Sequence, residues 1–249
     1  MKAHDIHGRD LNTLQEAKFA VIPLGSFEYH GPHSPLGTDI ILANGFADAI
    51  DPHLGGVIFP TIPYTACPGK TSKYKGTIPI RPHIMTEYLI DITMGIIQQG
   101  MKKIILLNAH DGNMGISRTV AEYVTGKHPD ASFLLINWWQ MIEIDDHEEL
   151  GFKGTKGRGH GGPYEMSAVK AFRPDLVHVE EGDQEFKEIP PLSPLPYVLV
   201  EGTPKAWDGY TGLIQQTSYD IGKKIVKKAA RNMNELIKNW LTYYEREGI

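Results

Sequence analysis

Short apolar runs alternate along this chain with longer runs whose apolar residues recur at helical spacing, and that alternation limits the fold more than any other feature. Phe19-Ala20-Val21-Ile22-Pro23-Leu24 reads as a buried strand and residues 40–50 as the helix after it. Residues 56–64 are expected to be extended, and 82–99 to form a long apolar-periodic helix with Pro82 in its first turn. Lys103-Ile104-Ile105-Leu106-Leu107 repeats the buried-strand pattern, with 115–124 as its helix and 132–137 as a further strand. Such alternation builds an α/β fold, a mostly parallel sheet with helices on both faces. A last helix, over about 217–247, sets Ile221, Ile225, Ala229, Met233, Leu236, Ile237, Trp240 and Leu241 at helical spacing, the pattern of a core or subunit contact. At 249 residues and 41% hydrophobic content the chain can bury one substantial core, so a single domain over 1–249 is expected.

The segment after the first strand carries the chemistry. Gly25-Ser26-Phe27-Glu28-Tyr29-His30-Gly31-Pro32-His33-Ser34-Pro35-Leu36-Gly37-Thr38-Asp39 sets carboxylates and imidazoles among glycines and prolines that favour a turning backbone. In an extended stretch side chains at i and i+2 share a face, so Glu28 and His30 can point together while the turn folds Asp39 back toward them. Such residues in a surface loop are often merely solvated. Here they follow a buried strand, at the sheet edge where open α/β sheets place ligand sites, and they lead into a helix whose first turn holds Asp39.

Two further clusters fall where other walls of such a site belong. Asn108-Ala109-His110-Asp111-Gly112-Asn113 follows the strand ending at Leu107, so His110 emerges at the same sheet edge. Arg158-Gly159-His160-Gly161-Gly162-Pro163-Tyr164-Glu165-Met166-Ser167 lets Pro163 open a helix with Glu165 in its first turn, as a site residue or only as a partner of the helix dipole. Residues 143–162 read as a polar, glycine-rich loop over the site, and 190–196, with four prolines, as a stiff crossing segment. Trp138 and Trp139 form either an apolar wall for a flat cyclic substrate or ordinary core aromatics.

Charge and composition remove several function classes. A net charge of −5 supplies no basic field for nucleic acid or an anionic membrane, and no apolar run approaches the ~18 residues of a membrane span. The start lacks the apolar centre of a signal peptide and Cys67 is the one cysteine, so a cytoplasmic protein is expected. Cys67 lies between Ala66 and Pro68 with no partner base legible in the sequence. Gly157-Arg158-Gly159-His160-Gly161-Gly162 satisfies G-x-G-x-x-G, with Glu180 downstream, but follows a polar loop rather than the hydrophobic strand a dinucleotide fingerprint requires. Gly69-Lys70-Thr71 resembles the end of a phosphate loop, yet its required first glycine is Tyr64.

Together the three clusters resemble the creatininase, or creatinine amidohydrolase, family. Residues 25–39 match that family's Gly-Ser-x-Glu-x-His-Gly-Pro-His-Leu-Pro-Leu-x-Thr-Asp run with Ser34 in a leucine position. Residues 108–113 match its Asn-Gly-His-x-x-Asn loop, and 160–167 its His-x-Gly-x-x-Glu-Thr-Ser segment with Met166 for threonine. Smaller echoes occur at Gly76-Thr77 and Gly209-Tyr210-Thr211-Gly212. The resemblance implies a three-layer α/β/α fold with a mostly parallel central sheet, assembly as a homo-oligomer (commonly a hexamer), and two divalent metal ions drawn from zinc, manganese and iron. It assigns Glu28 and His110 to one ion and His30 to the other, with Asp39 bridging. Where creatininase proper has a metal-binding glutamate and a pocket tyrosine, this chain has Gly112 and Asp111, which argues against creatinine and leaves a ligand position that Glu165 can fill.

Charge balance supports that assignment: two divalent cations carry +4, against which Glu28, Asp39, Glu165 and a hydroxide balance. The metals would turn water into a nucleophile at neutral pH, leaving His160 to protonate the departing nitrogen. The expectation is therefore a metal-dependent amidohydrolase of a small cyclic amide or formamide, with Asp111, Trp138 and Trp139 as candidate substrate contacts. The alternatives are a formamide hydrolase acting on a pyrimidine-type biosynthetic intermediate, a metal-binding protein without activity, and an oxidoreductase using the glycine loop.

Overall fold

A computed structural model describes residues 1–143, 149–152, 157–181, 200, 202–203, 205 and 207–247. The expected 190–196 segment, and parts of the expected 143–162 loop, lie outside the described residues. Four strands, β1 (Phe19–Leu24), β2 (Gly56–Ile58), β3 (Lys103–Asn108) and β4 (Ser132–Asn137), form one parallel sheet in the order β2-β1-β3-β4. The α-helices described with them are α1 (Asn12–Gln15), α2 (Thr38–Asp48), α3 (Pro82–Gln98), α4 (Met114–Lys127), α5 (Pro163–Phe172) and α6 (Tyr219–Glu247).

Strand alternation divides the core in two. Phe19, Val21, Ile105, Leu107 and Ile136 pack under α2, α5 and α6, while Ala20, Ile22, Leu24, Ile104 and Leu106 pack under α3 and α4. The result is the expected three-layer α/β/α arrangement. Pro23 in β1 lies beyond the last β1–β2 pair, Val21 with Ile58, where a missing N–H interrupts no ladder on that side. Of the 56–64 stretch expected to be extended, Gly56–Ile58 pairs as a strand and Ile62 adds a single parallel bridge to Leu24. Among the described residues no helix is long and apolar enough to cross a membrane.

Strand order fixes where a site can form. From β1 the chain crosses to β2 on one side and afterwards returns to β3 on the other, so β1 and β3 are adjacent strands whose connections leave in opposite directions. The loops at their carboxyl ends separate and open a crevice, the usual ligand position in an open α/β sheet. Glu28 and His30 lie on the loop after β1, and His110 on the loop after β3.

Candidate metal centre

Three elements supply the crevice. The loop after β1 brings Glu28 and His30, its continuation into α2 places Asp39 in the first turn, and His110 stands just past β3. From the far side of the sequence, α5 contributes Glu165 in its first turn, and the loop before it contributes His160. Glu28, His30, Asp39 and His110 are all buried, and the Glu165 side chain is 14% exposed.

Each histidine is aimed by a backbone carbonyl. His110 uses Nε2 toward the Ala66 carbonyl at 3.3 Å, which turns Nδ1 toward Glu28 Oε2 at 2.9 Å and Asp39 Oδ2 at 3.2 Å. His30 uses Nδ1 toward the Glu28 carbonyl at 3.0 Å, which leaves Nε2 at 3.2 Å from Asp39 Oδ1 and 3.9 Å from Glu165 Oε2. A second-nitrogen bond of this kind fixes the tautomer and orientation of a metal-binding imidazole. Glu28 Oε1 accepts from the Thr71 hydroxyl, so Thr71, part of the phosphate-loop look-alike, instead orients a carboxylate. Two buried oxygens, Glu28 Oε2 and Asp39 Oδ2, converge on His110 Nδ1 at 2.9 and 3.2 Å. Either a proton on Nδ1 or a cation satisfies them, and an imidazole nitrogen beside two carboxylate oxygens is a donor set that fits a metal ion.

Two compact ligand groups result, Glu28/Asp39/His110 and His30/Asp39/Glu165, each with its donor atoms within 4.8 Å of one another, and Asp39 belongs to both. A third, Glu28/His30/His160, overlaps them. Electrostatics fits the same picture. Burial alone would raise the Glu28 and Asp39 carboxyls, but the neighbouring His110 and His30 hold both below the usual carboxylate range. Burial opposes charge on His30, yet Asp39 pushes it up to about 10, and Glu28 and Asp39 raise His110 in the same way. Burial pushes Glu165 up to about 7 against the pull of His30. In the metal-free protein, protons on two imidazoles thus compensate the buried carboxylates.

His160 stacks on His30, ring centroids 3.9 Å apart, and its Nε2 faces the Tyr29 carbonyl at 2.7 Å. Burial and the His30 charge push it down to about 4, so it is neutral at pH 7 with Nδ1 free of its proton. The glycine loop around it packs on protein: a Cβ at Gly161 would stand 2.4 Å from the His30 carbonyl oxygen. That packing counts against the nucleotide reading. At Gly112 a Cβ would stand 2.6 Å from His110 Nε2 and 2.7 Å from the Ala66 oxygen, so this backbone leaves no room for the glutamate of the family pattern. Asp111 is exposed in the short turn after His110.

Trp138 requires a correction. It is 2% exposed and lies between Phe46 at 5.0 Å and Tyr164 at 5.4 Å, stacked on both, and Trp139 packs against the same core cluster. Trp138 is therefore a core aromatic, the other of the two readings its sequence position allowed. The indole near the site is Trp207, whose ring lies 5.7 Å from His160 beside a cleft of about 450 Å³ that Tyr29, Tyr74, Lys73 and Asp208 also line. Its one signal in the sequence was the nearby Gly209-Tyr210-Thr211-Gly212 echo. His33, fully buried, was also missed; burial pushes its imidazole down, and Nε2 lies 2.9 Å from the Gly161 carbonyl.

Comparison with known proteins identifies the family. The family model for creatininase, described as creatinine amidohydrolase, matches residues 4–237. The 3-dehydro-scyllo-inosose hydrolase of Thermotoga maritima is 26% identical, aligned over 94% of this chain and 77% of its own length. The creatinine amidohydrolase of Pseudomonas putida is 24% identical over 64% of this chain and 66% of its own. A solved structure of a manganese form of creatininase superposes with a TM-score of 0.81 at 18% identity, covering 96% of this chain and 98% of that one. The chain therefore belongs to the creatininase family and is an amidohydrolase-type enzyme with the creatininase fold.

Proposed function

We propose that this protein is a dinuclear metal-dependent hydrolase of a small, polar, ring-shaped carbonyl compound, a cyclic amide or formamide in the first instance. The observation that carries the reading is the position of Asp39: one oxygen faces His30 and the other faces His110, each at 3.2 Å. A carboxylate so placed can bridge two ions. Glu28 and His110 would complete one site, and His30 and Glu165 the other. When bound, the ions would polarise the carbonyl and lower the pKa of water from 15.7 toward about 7.

The chain's own residues do the rest. His160 holds Nε2 on the Tyr29 carbonyl, which leaves Nδ1 as the atom that would carry a proton to the leaving nitrogen. Trp207 and the cleft beside it would hold the substrate ring, with Lys73 and Asp208 available to its polar substituents. Gly112 and Asp111 argue against creatinine itself. A hydroxylated cyclic ketone is the second reading, favoured by the charged cleft lining and by the inosose hydrolase that aligns with 94% of the chain.

The test measures metal content and turnover together in Asp39→Ala, Glu165→Gln and His160→Ala, on a panel of cyclic amides, formamides and inososes. Asp39→Ala should lose both ions, and Glu165→Gln one, with activity partly recovered in excess metal. His160→Ala should keep both ions and lose roughly 10²–10⁴ in turnover. Full metal occupancy in Asp39→Ala would remove the reading.

A further inference from the structure

His33 belongs to none of the ligand groups, yet it is fully buried directly behind them. Its Nε2 lies 2.9 Å from the Gly161 carbonyl oxygen, and that oxygen can only accept, so Nε2 carries the proton. Nδ1 has no hydrogen-bond partner among the described residues, so a proton there would be buried without an acceptor and the neutral Nε2–H tautomer is favoured. The backbone is shaped around this ring. Gly31 has φ +100°, and a Cβ there would stand 2.4 Å from His33 Cε1, so only glycine lets the ring fold back under the loop. Tyr210 closes the other side edge-on at 4.8 Å.

What His33 grips is the peptide that connects the two late site residues. The Gly161 N–H donates to Glu165 Oε2 at 2.8 Å, and Gly161 directly follows His160. The residue is thus held at both polar ends, its carbonyl by His33 and its amide by Glu165. No other side chain joins the loop after β1 to both of them at once among the described hydrogen bonds.

We propose that His33 is a positioning residue: its Nε2–H fixes the Gly161 peptide and thereby places Glu165 as a metal ligand and His160 over the centre. The inference rests on the two-metal reading above for its effect on Glu165, but not for the state of the His33 ring. Loss of such an outer partner typically costs about 10–100-fold in metal affinity.

The experiment titrates zinc into metal-free wild type, His33→Phe and His33→Gln with a chromophoric chelator as competitor, and records the melting temperature of each. In His33→Phe the ion held by Glu28, Asp39 and His110 should bind as in wild type, and the ion held by Glu165 should weaken about 10–100-fold. His33→Gln, whose amide nitrogen reaches the position of Nε2, should recover most of that loss; a purely space-filling role would favour Phe instead. Two ions at wild-type affinity in His33→Phe would overturn the proposal. Two-bond ¹H–¹⁵N spectra of wild type supply a measurement that needs no variant to fold: the expected state is Nε2–H, and a protonated Nδ1 with bare Nε2 would overturn it. If wild type itself takes up only one ion, the two-metal reading fails while the tautomer measurement still decides the grip on Gly161.

Discussion

On the two-metal reading, loading this centre must expel protons, and the charged neighbours of His30, His110 and Glu165 indicate where those protons sit. Without metal, His30 holds its proton up to about pH 10 because Asp39 faces it, and His110 holds one well above the ordinary imidazole range. Glu165, at about 7, is half protonated at neutrality. An ion can take His30 Nε2 and His110 Nδ1 only after those protons leave, so loading at pH 7 should release about two to three protons per chain. The combined affinity for two ions should then rise about 10²–10³-fold per pH unit near neutrality.

The sign for stability runs the other way. Both imidazoles have folded pKa values above their unfolded value, so in the metal-free protein their contribution is fully present below about pH 6.5 and disappears as pH rises through about 10. Glu165 is raised as well, so its ionisation between about 4.5 and 7 also costs the folded state. Metal-free protein should therefore lose stability between pH 6.5 and 10, and the metal-loaded protein should not. Zinc titration calorimetry in buffers of different ionisation enthalpy counts the protons directly. Release of fewer than one proton at pH 7 would refute the claim that protonated His30 and His110 stand in for the metals.

Three further substitutions separate core from site. Trp138→Ala should cost about 3–5 kcal/mol in denaturant unfolding while leaving metal content unchanged, because the ring fills the core between Phe46 and Tyr164. Trp207→Ala should change stability little and raise KM, and a loss of metal with an unchanged KM would count against the cleft as substrate site. Gly112→Ala should separate His110 Nε2 from the Ala66 carbonyl and weaken zinc binding about 10–100-fold, whereas wild-type affinity would show that the ring is not held there.

The apolar runs determined the fold class, since the unbroken apolar stretches of β1 and β3 require cover on both faces of the sheet and the helical spacing in α3 and α6 supplies helices with an apolar face to cover it. Residues 25–39 also announced their candidate ligands, because Glu28, His30 and Asp39 are close in sequence and local turns can gather them. The sequence could not give the strand order β2-β1-β3-β4, and only that order makes β1 and β3 neighbours and brings His110 to Glu28. Trp138 failed as a substrate contact for a related reason: a tryptophan after a strand can face the crevice or the core, and packing against Phe46 and Tyr164 chose the core. Thr71, Trp207 and His33 were illegible because each acts across a contact distant in sequence, with Glu28, His160 and Gly161. Local chemistry writes ligand types into a sequence; the carbonyls and neighbours that aim them exist only once the sheet has brought its loops together.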